Sequence, residues 1–160
     1  MGEGKPIMQG GHVEIHPIAG AMGAEITGVD LSSDMSNQAR EAIYQAFLEH
    51  QMIFFRDQDM TLDEHKAFGR LFGELHIHPT EKAPEGHPEI ITIHADDKSK
   101  VVAGMKWHSD VSCDLEPPMG SILHLHTIPE AGGDTMFASG YAAYDALSDP
   151  IKELITGLKA

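Results

Sequence analysis

The sequence predicts a mixed α+β chain, mainly β in its middle, with a jelly-roll-like arrangement of strands between flanking helices. Two patterns carry this expectation. Short runs of alternating apolar and polar residues recur from His12 to Ala138, and stretches with helical spacing lie among them and after them. A third observation sets the scale: 160 residues, 41% of them hydrophobic, suffice to bury a core. One globular domain over residues 12–160 is expected, preceded by a polar, Gly-rich and flexible start at residues 1–11.

The elements follow in order. His12 to Pro17 and Ala24 to Val29 alternate around Gly20 and Gly23, which predicts a hairpin. From Ser36, a suitable N-cap, Ala39, Ile43, Ala46 and Phe47 form one stripe of a helix reaching about Glu49. Met52-Ile-Phe-Phe55 is too short for a helix and reads as a buried strand ended by Arg56-Asp-Gln58. Thr61 and Glu64 have capping-box spacing for a second helix, whose apolar face is Ala67, Phe68 and Leu71 and whose stop is Gly73. Glu89 to His94 reads as a strand, followed by a charged loop from Asp96 to Lys100. Met119 to His126 is another strand, with Ser121, Leu123 and Leu125 on one face and Ile122, His124 and His126 on the other. Thr135 to Ala138 is a shorter one. Ser139 to Leu147 reads as a helix, and Asp149-Pro150 caps a last helix carrying Ile151, Leu154, Ile155 and Leu158.

Charge and cysteine content exclude several classes. The 25 acidic residues against 11 basic give a net charge of -14, which argues against a nucleic-acid partner because phosphate binding needs clustered Lys and Arg. Cys113 is the single cysteine, so no intrachain disulfide can form and a reducing compartment, the cytoplasm, is expected. No segment approaches the roughly 18 apolar residues of a membrane span, so no membrane partner is expected.

Eleven histidines invite a search for metal ligands. His12, His16, His50, His65 and His87 sit in polar or turn-like contexts and read as surface residues. His108-Ser109-Asp110 is sharper: two residues apart on an extended segment, the imidazole and carboxylate share a face and can meet one ion. They supply two corners of a facial triad, which leaves open positions on Fe(II) for a 2-oxo acid and dioxygen. The pair alone is short enough to arise by chance, and its donors suit zinc as well, so a zinc-dependent hydrolase or lyase stays open. Thr135 alone reads as an ordinary β-branched strand residue, and His76 with His78 as a structural pair at a strand end.

The surroundings of the pair narrow the choice. Trp107-His-Ser-Asp110 is followed by Glu116-Pro-Pro118, Gly132-Gly-Asp-Thr135, Ser139-Gly140, Ala142-Ala-Tyr144 and Ala146-Leu147. Before it stand Gly23-Ala-Glu-Ile-Thr-Gly-Val-Asp-Leu31, Phe55-Arg-Asp-Gln58 and Phe72-Gly-Glu-Leu-His-Ile-His-Pro79. In this order the chain resembles the taurine dioxygenase family, which also includes chlorophenoxyacetate and alkylsulfate dioxygenases, over about residues 13 to 159.

The resemblance implies a double-stranded β-helix with flanking helices, of which residues 12–160 form the N-terminal part, incomplete at its C-terminal end. It implies an Fe(II)- and 2-oxoglutarate-dependent dioxygenase that uses O2 to hydroxylate a small anionic organic substrate, a sulfonate such as taurine, a sulfate ester or a carboxylate, and releases succinate and CO2. His108 and Asp110 match the first two iron ligands, Thr135 the threonine that binds a carboxylate of 2-oxoglutarate, and His78 the histidine that meets the sulfonate in taurine-using members. Family members are commonly oligomeric, so a homo-oligomer is expected.

Two positions depart from the taurine enzyme: Glu81 stands where it has tyrosine and Gly104 where it has asparagine. Its distal histidine and the arginine that pairs with 2-oxoglutarate have no match, since no arginine follows Arg70 and His124 and His126 are the histidines after Asp110. A truncated chain, catalytically weak or serving as a non-catalytic metal-binding or assembly module, is therefore expected.

Overall fold

In the computed structural model, residues 12–78, 82–96, 98–99 and 104–158 are described. The N-terminal stretch 1–11, Pro79, Glu81 and part of the 96–100 loop, each named above, lie outside them. The described chain divides into two units, one of residues up to 59 together with 129–158, the other of residues 60–128.

The first unit is built on β1 (Glu14–Pro17), β2 (Ala24–Thr27) and β3 (Ile53–Phe54), in the order β1-β2-β3. β1 and β2 form the predicted antiparallel hairpin, with Ile15 opposite Ile26 and Pro17 opposite Ala24. The hairpin turns through residues 18–23, where the Ile18 N–H donates to the Gly23 carbonyl at 3.0 Å, and at its open end Gly28, with a φ of 80°, lies so close to the His12 carbonyl that no side chain fits. β3 runs parallel to β2, with Ala24 opposite Ile53. A parallel return needs a long crossover, which α1 (Asn37–His50) supplies.

Local signals set the limits of α1. Ser36 accepts a hydrogen bond from the Ala39 N–H at 3.2 Å, and Gln51 ends the helix at a left-handed φ of 64°. Its stripe of Ala39, Ile43 and Ala46 is buried, and α1 packs on β2 and β3, where β2 buries Ala24 and Ile26. Gln58 ties its neighbourhood together. Its Oε1 accepts from the Leu31 N–H at 2.8 Å, and its Nε2 donates to the Arg56 carbonyl at 2.8 Å and to that of Val29 at 3.3 Å. One side chain thereby fastens the 29–31 loop beside β3. Later in the chain this unit adds α3 (Gly140–Asp145), N-capped by Ser139, and α4 (Asp149–Ile155). Ser148, not Asp149, occupies the N-cap of α4, with Pro150 in its first turn. Ser139 is buried and donates to Gln51 Oε1 at 2.8 Å.

The second unit contains α2 (Leu62–Gly69), opened by the predicted capping box. The Glu64 N–H donates to Thr61 Oγ1 at 3.3 Å, and the Thr61 N–H donates to Glu64 Oε2 at 2.7 Å. Phe68 is buried and meets Phe72 edge-on at 5.5 Å. α2 holds the 87–89 segment through Lys66 and Arg70 with Glu89, and through Asp63 with His87.

The predicted strands at 89–94, 119–126 and 135–138 do not form: these segments carry no strand pairing among the described residues. Alternation specifies which side chains share a face, whereas a strand exists only with a hydrogen-bonded neighbour. The faces are nevertheless as expected at one place. His124 lies 5.8 Å from the His65 ring and 4.4 Å from that of His126, and Ile122 Cδ1 lies 3.7 Å from where a Gly69 Cβ would stand. The observed architecture is a small mixed sheet with four helices among the described residues.

Candidate metal centre

Trp107 to Ser109 lie outside any helix or strand, and a turn begins at Asp110. Val111 has a φ of 51°, a left-handed backbone that costs a β-branched residue about 1–3 kcal/mol and persists only where neighbours enforce it. Two bonds do so here: the Asp114 N–H donates to the Val111 carbonyl at 3.1 Å, and the Ser109 and Ser112 hydroxyls are joined at 2.8 Å.

The turn leaves His108 Nε2 3.3 Å from Asp110 Oδ1. Metal–imidazole and metal–carboxylate bonds are about 2.1 Å, so donors at adjacent octahedral corners stand about 3.0 Å apart. The pair therefore fits one divalent ion with little adjustment. Its ring orientation is also that of a ligand. His108 Nδ1 lies 2.7 Å from the Lys106 carbonyl, which can only accept, so Nδ1 carries a proton and Nε2 is the ring nitrogen that faces Asp110. Side-chain exposures of 55% and 52% make an ion pair here a weak contributor to stability, so fold stability does not account for the arrangement.

A third side chain completes the local network. Ser121 Oγ donates to Asp110 Oδ2 at 2.7 Å. Gly104 flanks the same site: a Cβ there would stand 3.8 Å from His108 Cε1, an ordinary contact, while its φ of 81° is one that L side chains rarely adopt.

The other sequence-derived candidates lie elsewhere. His78, half-buried in the same unit, packs edge-on to His76 with ring centroids 6.4 Å apart. Thr135 belongs to the other unit, where it lines an apolar groove with Ile18, Met22, Met52 and Phe137. His124 and His126 pack with His65, whose pKa is lowered by burial, then by its two histidine neighbours. Among the described residues no group of three His, Cys, Asp or Glu side chains forms a metal cage.

The family model described as taurine catabolism dioxygenase TauD, TfdA family, matches residues 14–160. The chain belongs to this family. It is 38% identical over 149 residues to the alpha-ketoglutarate-dependent sulfate ester dioxygenase of Pseudomonas putida, covering 92% of this chain and 48% of that protein. It is 32% identical over 159 residues to the alpha-ketoglutarate-dependent sulfonate dioxygenase of Saccharomyces cerevisiae, covering 92% of this chain and 38% of the relative. The crystal structure of a taurine dioxygenase from Burkholderia xenovorans superimposes with a TM-score of 0.75 at 35% identity, over 91% of this chain and 51% of that one. The TauD/TfdA-family chain thus spans about half the length of these relatives or less.

Sequence reasoning named both members of the pair and missed Ser121 and the Lys106 carbonyl. For Ser121 a signal existed: it shares its predicted face with Leu123 and Leu125, and a hydroxyl among leucines asks for a partner. A backbone carbonyl leaves no such trace.

Proposed function

We propose that this TauD/TfdA-family chain carries two iron ligands of a 2-oxoglutarate-dependent dioxygenase acting on a small anionic organic substrate, a sulfonate, sulfate ester or carboxylate. The observation that supports it is the 3.3 Å approach of His108 Nε2 to Asp110 Oδ1, with His108 Nδ1 engaged by the Lys106 carbonyl. When bound, Fe(II) with 2-oxoglutarate and O2 supplies the oxidation of a C–H bond, with succinate and CO2 as co-products. The chain's own residues bind and orient. His108 offers a neutral nitrogen and Asp110 one carboxylate oxygen, a donor set that leaves coordination positions open. Thr135 offers a hydroxyl to a 2-oxoglutarate carboxylate, and His78 an imidazole that can both donate a hydrogen bond and, when protonated, offset a substrate's negative charge.

The sulfate ester and sulfonate relatives support the substrate class. Residues 12–160 are read as the N-terminal part of one jelly-roll domain, with 89–94, 119–126 and 135–138 as strands that pair when the remaining strands are present. The lone, exposed Cys113 suits a reducing compartment such as the cytoplasm.

The test is anaerobic titration with Fe(II) and 2-oxoglutarate, monitoring the visible charge-transfer band. The band is expected in this chain extended to the length of its relatives and absent after His108→Ala. A band of unchanged intensity in that variant would refute the ligand assignment.

A further inference from the structure

Resting on the ligand reading above, we infer that Ser121 is a positioning residue that holds Asp110 as a one-oxygen ligand. A carboxylate has two equivalent oxygens and binds a metal through one or both, and the difference changes how many positions stay open. In this chain the two oxygens are not equivalent. Oδ1 faces His108 Nε2 at 3.3 Å, while Oδ2 accepts the Ser121 hydroxyl proton at 2.7 Å. A hydroxyl bound to a carboxylate is a charge-assisted contact, among the stronger hydrogen bonds available to an exposed side chain.

The backbone reinforces the choice. The left-handed turn at Val111, closed by the Asp114 and Ser109–Ser112 bonds, fixes where the Asp110 side chain leaves the chain. Rotation about its two side-chain torsions is then the remaining freedom, and Ser121, eleven residues on, restrains it. Swinging both oxygens toward a metal would break that bond. Partners of this kind are worth about 10–100-fold in metal affinity at other sites.

The test uses Co(II) as the probe, titrated into this chain extended to the length of its relatives and followed by its visible absorption, which is weaker at higher coordination number. Ser121→Ala is expected to bind Co(II) about tenfold or more weakly, with a fainter band as Asp110 turns two-oxygen. Ser121→Thr, which keeps the hydroxyl, is expected to restore both. Ser121 is exposed, so the thermal midpoint should stay that of the parent chain, which separates this effect from misfolding. If His108→Ala abolishes binding but Ser121→Ala matches the parent in affinity and band, the Ser121 role is overturned and the ligand pair stands. If His108→Ala binds Co(II) as the parent does, or the parent binds none, the ligand reading falls and the Ser121 role with it.

Discussion

Residues 14–54 and residues 104–126 solve opposite problems. In the first stretch, strands and helix close on each other, and Ala24, Ile26 and Ile43 are at most 2% exposed. In the second, Trp107 is 69% exposed and Leu115 fully so, yet the His108–Asp110 and Ser121–Asp110 contacts are found there. The sheet holds its shape by removing apolar surface from water. The His108–Asp110 pair holds its shape by hydrogen bonds within a short loop and one bond to Ser121. The geometry of the polar pair and hydrophobic stability thus reside in different residues, and each can be altered without the other.

The largest test of that separation is Ile43→Ala, which empties the centre of the α1 stripe and is expected to cost about 2–5 kcal/mol. Leu123→Ala, at an exposed position, is expected to stay within about 0.5 kcal/mol. Urea unfolding midpoints compare the two, and equal losses would break the contrast. A smaller effect sharpens it: Thr61→Ala removes one half of the capping box of α2 and should cost about 1 kcal/mol. Amide exchange should quicken in α2 while α1 keeps its protection.

The smallest effect is a pH response. Burial and the neighbouring His124 and His126 lower the pKa of His65 below its usual 6.5. A lowered folded value means that the unfolded chain takes up the proton first. The His65 contribution is therefore fully present above about pH 6.5 and is lost as pH falls from there through the folded value. Thermal melts between pH 7.5 and 5 should show this decline, and His65→Gln should flatten it. A parent-like slope in that variant would move the response to another group.

What the sequence made legible was local. α1 and α2 begin where Ser36 and Thr61 predict, because an N-cap is decided within four residues. The hairpin and the pairing of Ile15 with Ile26 follow from alternation around glycines. Alternation at 119–126 correctly grouped Ile122 with His124 and His126, but it could not name a partner strand, and none is paired with that segment among the described residues. The turn at Val111 was also hidden, because β-branched residues ordinarily report extended backbone and here one bends it.

The bond from Ser139 to Gln51 joins residues 88 positions apart. A ribosome adding about 5–20 residues per second needs roughly 4–18 seconds to travel that interval. Throughout this time the end of α1 is already made while its hydroxyl donor has yet to be synthesised. The nascent hairpin, helix and third strand must stand unaided, or with a chaperone's help, until residue 139 emerges. Slow codons placed between residues 60 and 128 would lengthen that wait, and the yield of folded chain would register it.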